Sequence, residues 1–271
     1  MALLRSALRS KPWEWPEIPP KARTSVRFID SHLHISEYEE PEGLLAYALH
    51  TDTTLLSSGV DKDSSQTTLM VARETLGSVR AFVGTHPSEA EKEPDLSWFG
   101  PSLSQAAGTG EIGLDPKYSS IEPGSTQSRV FETQLTHAEN AQKPIQVHSR
   151  GAEKRCLEVL SGFRLGSVLM HWFQSAELIK EVSERGYFVS FGPALLYSKK
   201  LQSMAVSVDR SLVLTETDAP VPFAPLGGAR GSSLIPSVVF ALAGLWRASF
   251  EEARVAVCEN GRRYLGEPEK G

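Results

Sequence analysis

Eight short runs rich in β-branched and apolar residues recur along this chain, separated by stretches with helical periodicity. That alternation restricts the fold more than any other feature. The runs are VRFID, TTLLSSGV, SVRAFVG, AAGTGEIG, PIQVHS, SVLMHWF, YFVSFG and SLVLTETD, the first beginning at Val26 and the last ending at Asp218. Several are apolar at consecutive rather than alternate positions, as in strands covered on both faces. Between them, TQSRVFETQLTHAENAQ sets Val130, Leu135 and Ala138 on one helical stripe. AEKRCLEVLSGF and SAELIKEVSERG read the same way, with Gly186 as the stop of the second. Repeated strand–helix units with eight strands predict an α/β fold closed into a single (β/α)8 barrel. A doubly wound open sheet is the alternative, weakened by the lack of a phosphate-binding GxGxxG turn.

At 271 residues, with 40% hydrophobic residues, the chain fits one such barrel. Residues 1–25 read differently: early Lys and Arg, then Trp13, Trp15 and four prolines, with no long apolar stretch or cleavage site. They are expected to form a partly disordered arm, with the barrel occupying 26–271. No run approaches the ~18 apolar residues of a membrane span, so no membrane partner is expected. Cys156 and Cys258 suggest neither a disulfide framework nor a metal knuckle, so a reducing, cytoplasmic setting is the expectation. The net charge of −5 argues against wide electrostatic wrapping of nucleic acid. A local phosphate site remains open, because bound divalent cations supply positive field themselves.

The polar residues that end the strand-like runs carry the chemistry. His32 and His34 end the first, two apart, and so point the same way from extended backbone. His86 ends the third, Glu111 and Asp115 the fourth, His148 and Arg150 the fifth, His171 the sixth, and Glu216 and Asp218 the eighth. Barrel active sites are built at that end of the strands. A single strand-end histidine is ordinary packing; five at equivalent positions, with carboxylates between them, are not. Imidazole and carboxylate together suit Zn, Mn and related divalent ions. His32, His34, Glu111, His148, His171 and Asp218 exceed the ligands one catalytic metal takes. They suit two divalent cations sharing a bridging carboxylate, for which Glu111 is the natural choice. The reaction class is then hydrolysis, most naturally of a phosphoester. His50 and His137 fall inside helical stretches and read as surface or packing residues.

FIDSHLH, VGTHP, GEIGLD, PIQVHSR, HWF and ETDAP occur in the order and spacing of the TatD family of metal-dependent deoxyribonucleases, and the chain resembles that family over roughly residues 26 to 266. GPALLYSKK is most similar to archaeal members. The resemblance implies a (β/α)8 barrel and a nuclease, often removing nucleotides from a 3′ end, acting here on single-stranded or frayed DNA. It implies two divalent cations (Zn, Mg or Mn) and no obligate protein partner. By position, His32, His34 and Asp218 correspond to ligands of one metal, His148 and His171 to ligands of the second, and Glu111 to the bridge. Asp218 would also serve as the base for the attacking water, and His86 as a substrate-side or proton-transfer residue. Arg150 and Arg230 are the expected substrate contacts. Two departures bear on substrate: Trp172 replaces a common cysteine in HWFQSA, and GGARGSSLIPS replaces a basic stretch after the eighth strand. The competing reading is a metal-dependent deacylase, esterase or amidohydrolase on the same barrel, acting on a small or aminoacyl-tRNA substrate.

Overall fold

The computed structural model of the chain describes residues 26–75, 77–92 and 95–267; the expected arm, 1–25, lies outside them. Strands β1 (Phe28–Leu33), β2 (Thr53–Ser58), β3 (Val79–Val83) and β4 (Gly108–Gly113) alternate with helices α1 (Glu42–Thr51), α2 (Lys62–Glu74) and α3 (Phe99–Gln105). Then follow α4 (Thr126–Ala141), β5 (Ile145–His148), α5 (Glu153–Leu160), β6 (Val168–Met170), α6 (Ile179–Glu184), β7 (Phe188–Phe191) and α7 (Lys199–Ser207). β8 (Val213–Thr215), α8 (Ile235–Trp246) and α9 (Phe250–Tyr264) complete the order. All eight expected strands are present, parallel, and hydrogen-bonded in sequence order from β1 to β8. The chain is a (β/α)8 barrel, not an open sheet.

Local chemistry sets the helix starts. Asp61 and Ser64 form a reciprocal capping box at α2, Ser125 caps α4, and Ser249 with Glu252 repeats the capping box at α9. Three elements are shorter than their sequence pattern. The helix expected over 175–186 begins only at Ile179, and the strands expected through Phe173 and Asp218 end at Met170 and Thr215. Backbone φ turns positive at Trp172 and at Asp218, so the chain has left the ladder by those points.

Leu56, Phe82, Leu169, Phe188 and Leu214 fill the barrel interior, and Tyr264 of α9 packs into them, its hydroxyl donating to the Ile145 carbonyl at 2.9 Å. The larger apolar cluster lies between strands and surrounding helices, as in any barrel of this type. Close approach requires glycine at Gly113: φ is +149°, and a Cβ there would run into the His148 carbonyl. That contact brings β4 and β5, and with them Glu111 and His148, together.

The seam between β1 and β8 is not a regular ladder. Leu33 and Ala219 make a lone parallel bridge, His34 N–H donates to the Ala219 carbonyl at 2.8 Å, and Asp218 N–H donates to the His32 carbonyl at 2.9 Å. Below it, the fully buried Asp30 carboxylate accepts from Thr217 N–H (2.9 Å), Thr217 Oγ1 (2.6 Å) and Ser232 Oγ (2.7 Å). Burial pushes the Asp30 pKa up to about 7 against the pull of these donors. Asp30→Ala would strand all three donors in the interior. We expect urea unfolding of that variant to show a loss of about 3 kcal/mol, since unpaired buried partners lose their full desolvation energy.

Candidate metal centre

His32 lies on β1 and His34 just past its end, and their Nε2 atoms approach to 3.3 Å. Both are buried, as are Glu111 on β4 and His171 just past β6. His148 ends β5. Asp218, past β8, keeps 15% of its side chain exposed. All six converge at the C-terminal end of the barrel, where the sequence placed them. Three triples of these groups and His86 hold their donor atoms within 4.8 Å of one another: His32, His34 and Asp218; His32, Glu111 and His171; His86, Glu111 and His148.

Each imidazole's outer partner fixes its tautomer. His34 Nδ1 lies 3.1 Å from the Ser58 carbonyl, which only accepts, so Nδ1 carries the proton. His32 Nδ1 lies 2.6 Å from Gln146 Oε1. The Gln146 amide is oriented by its own Nε2, which donates to the Ser31 carbonyl at 2.9 Å. His148 Nε2 faces Asp115 Oδ2 at 2.8 Å, and His171 Nδ1 faces Glu216 Oε2 at 3.3 Å. In its neutral form each of these four imidazoles donates outward and turns a lone pair inward, the arrangement that suits metal ligation once a cation displaces the inner proton. His86 is the exception. The Ser88 N–H donates to its Nδ1 at 3.1 Å, which puts the ring proton on Nε2, facing His148 Nδ1 at 3.3 Å. Burial takes the His86 pKa down to about 3, which keeps the ring neutral, and in this tautomer it offers Nε2–H to the site.

Glu111 stands between two sets of lone pairs. Its Oε2 is 3.5 Å from His32 Nε2 and 3.4 Å from His34 Nε2; its Oε1 is 2.8 Å from both His148 Nδ1 and His171 Nε2. Asp218 Oδ1 approaches His34 Nε2 at 3.3 Å and His32 Nε2 at 3.6 Å. Burial opposes charge on Glu111, yet the surrounding imidazoles hold its pKa well below the ordinary range. Burial likewise disfavours protonated His34 and His171. Asp218 and Glu111 at His34, and Glu111 with Glu216 at His171, reverse that and raise both well above the usual value. Protons and divalent cations thus compete for one field. The donor set, four inward lone pairs with two carboxylates, fits metal ions.

A cavity of about 600 Å³ opens over the cluster, lined among others by Tyr118, Arg150, Trp172 and Lys200. Arg150 pairs with Asp115 (Nη2 to Oδ2, 2.6 Å) and lies over the Tyr118 ring at 5.7 Å. Arg230 is exposed and does not line this cavity. His50 lies in α1, and His137 in α4 packs edge-on against Phe99, as the helical periodicity implied. Gln146, Ser58 and Lys200 escaped the sequence reading, and Asp115 and Glu216 stood there without a role. Gln146 was within reach, since it lies two before His148 on β5, the spacing that paired His32 with His34.

A family model described as TatD related DNase matches residues 29–266. An uncharacterized metal-dependent hydrolase of Methanocaldococcus jannaschii is 22% identical over 250 residues, which span 89% of this chain and 97% of that protein. A deoxyribonuclease of Homo sapiens is 24% identical over 215 residues, 72% of this chain and 78% of that one. The crystal structure of a TatD homolog from Escherichia coli K12 has the same fold, with a TM-score of 0.75 at 22% identity over 90% of this chain and 99% of that one.

Gln146→Ala removes the acceptor that holds the His32 proton on Nδ1 while leaving every inward-facing group in place. Competition against a chelating indicator should show divalent-metal affinity lower by about 10- to 100-fold, the usual effect of losing an outer partner of a ligand.

Proposed function

The chain belongs to the TatD-related DNase family, and from that premise we propose that it is a metal-dependent hydrolase cleaving phosphodiester bonds of DNA, removing nucleotides from a 3′ end that is single-stranded or frayed. The observation that carries this reading is the position of Glu111, whose two oxygens each face a separate pair of imidazole lone pairs. In it, His32, His34 and Asp218 would hold one divalent cation, His148 and His171 would hold a second, and Glu111 would be shared between them. Zn, Mg or Mn bound there supplies Lewis-acid activation of water and neutralises charge developing on the phosphate. Asp218, the most exposed of the six, takes the proton of the attacking water. His86 offers its Nε2–H to a phosphate oxygen. Arg150 holds a flanking phosphate at the cavity wall, and Arg230 meets the strand beyond it.

A second reading, a deacylase or esterase on a small or aminoacyl-tRNA substrate, is favoured by one observation: among the described residues, Glu37, Glu89 and Glu153 share the cavity lining with two basic residues, Arg150 and Lys200. A lining with more acids than cations suits a substrate with a single phosphate or none. Incubating metal-loaded protein with end-labelled single-stranded DNA, beside a panel of small esters and aminoacyl-tRNA, separates the two. Shortening of the label from the 3′ end supports the nuclease; turnover confined to the esters overturns it. Asp218→Asn keeps the shape and removes the base, and should lower turnover of the cleaved substrate by at least ~10²-fold. Few cations face the cavity, so the nuclease should bind DNA with a shallow salt dependence. Titration of the Asp218→Asn protein across a salt series should give a log–log slope of magnitude ~2, from two or three phosphate contacts at ~0.7 each.

A further inference from the structure

Trp172 follows His171 directly, and its backbone φ is +41°, in the left-handed region that a bulky residue rarely adopts. Such a conformation is disfavoured and persists where the surroundings impose it. Here the turn aims a large aromatic at the cavity over the metal centre. Its ring is only half-buried. One flank is covered by Phe223, from the loop after β8, with ring centroids 5.8 Å apart and planes inclined at 33°. Phe223 is itself buried and fixed by an antiparallel bridge to Ala229, so the tryptophan rests on a rigid support. Tyr118 also lines the cavity, 43% exposed, its ring 5.6 Å from that of His86 and held by Arg150 and Lys117. His86, His171 and Asp218 line the same cavity as these two aromatics.

An indole with one side backed and the other facing an open cavity that also holds His86, His171 and Asp218 is suited to stacking on a flat heteroaromatic ring. A nucleotide joined to a phosphate at the metal centre would present its base at that range. We propose that Trp172 is a base-stacking, specificity-determining residue: it holds the nucleobase adjoining the scissile phosphate, with Phe223 as its support. This rests on the phosphodiesterase reading above and adds to it where the base goes. The site then discriminates ends that carry a base from ends that do not, without reading base identity, because every base has a π-face.

The test compares kcat/KM on two end-labelled oligonucleotides, one with a normal 3′-terminal nucleotide and one with an abasic 3′ end. The intact protein should prefer the base-bearing end. Trp172→Ala should lower that preference by about tenfold, within the range measured for loss of one base–aromatic stack, and Trp172→Phe should restore most of it. A binding readout covers the case in which Trp172→Ala folds poorly. Addition of dAMP should quench tryptophan fluorescence of the Asp218→Asn protein, and the quench should vanish in Asp218→Asn/Trp172→Phe. An unchanged end preference in both Trp172 variants, or an unchanged quench, overturns the stacking role while leaving the nuclease reading intact. Failure of the intact protein to cleave either oligonucleotide would instead remove the phosphodiesterase premise.

Discussion

Two backbone hydrogen bonds, from Asp218 N–H to the His32 carbonyl and from His34 N–H to the Ala219 carbonyl, close the barrel at the β1–β8 seam. The same two bonds bring Asp218 against His32 and His34. Closure of the fold and assembly of the His32–His34–Asp218 cluster are therefore one event. Asp30 clamps the seam through Thr217 and Ser232, just before an irregularity in the β1–β2 register that lies between Asp30 and Leu33. An open sheet would leave β1 and β8 at opposite edges and the ligands far apart.

Electrostatics make the arrangement demanding elsewhere too. Glu111 is 3% exposed and would be strongly disfavoured as a charge without the ring of imidazoles around it. Those imidazoles are in turn oriented by Gln146, Ser58, Asp115 and Glu216, none of which faces the centre of the site. The three side-chain partners are themselves held: Gln146 by the Ser31 carbonyl, Glu216 by Ser190 Oγ at 2.7 Å, Asp115 by Arg150 and by the Lys117 N–H. Burial pushes the Asp115 carboxyl up, but the His148 and Lys117 hydrogen bonds bring it to about 2, so it stays a charged acceptor for His148. The inner nitrogens thus arrive in one protonation pattern, and His86, with its proton reversed, in another.

Much of this was legible in the sequence, because strand-end position and i, i+2 spacing survive folding unchanged. The eight strands, the six converging ligand candidates and the separate standing of His50 and His137 follow from those two rules. What the sequence hid depends on contacts between distant strands. The proton on His86 Nε2 follows from the Ser88 N–H, a loop geometry with no periodic signature. Lys200 enters the cavity from the start of α7, while Arg230, placed near substrate by its position after the last strand, lies outside the cavity lining. The early exit of β6 and β8 from the ladder was also hidden, since HWF and ETD look like continued strand. Those two exits are where Trp172 and Asp218 turn toward the cavity.

The central claim is that one carboxylate, Glu111, bridges two divalent cations held by separate sets of imidazoles. Electron paramagnetic resonance of the protein loaded with two equivalents of Mn²⁺ tests it most directly. Ions ~4 Å apart across a shared carboxylate should give the spectrum of an exchange-coupled pair, collapsing to an isolated six-line signal in Glu111→Ala. An uncoupled six-line signal in the unaltered protein at full loading would contradict the account.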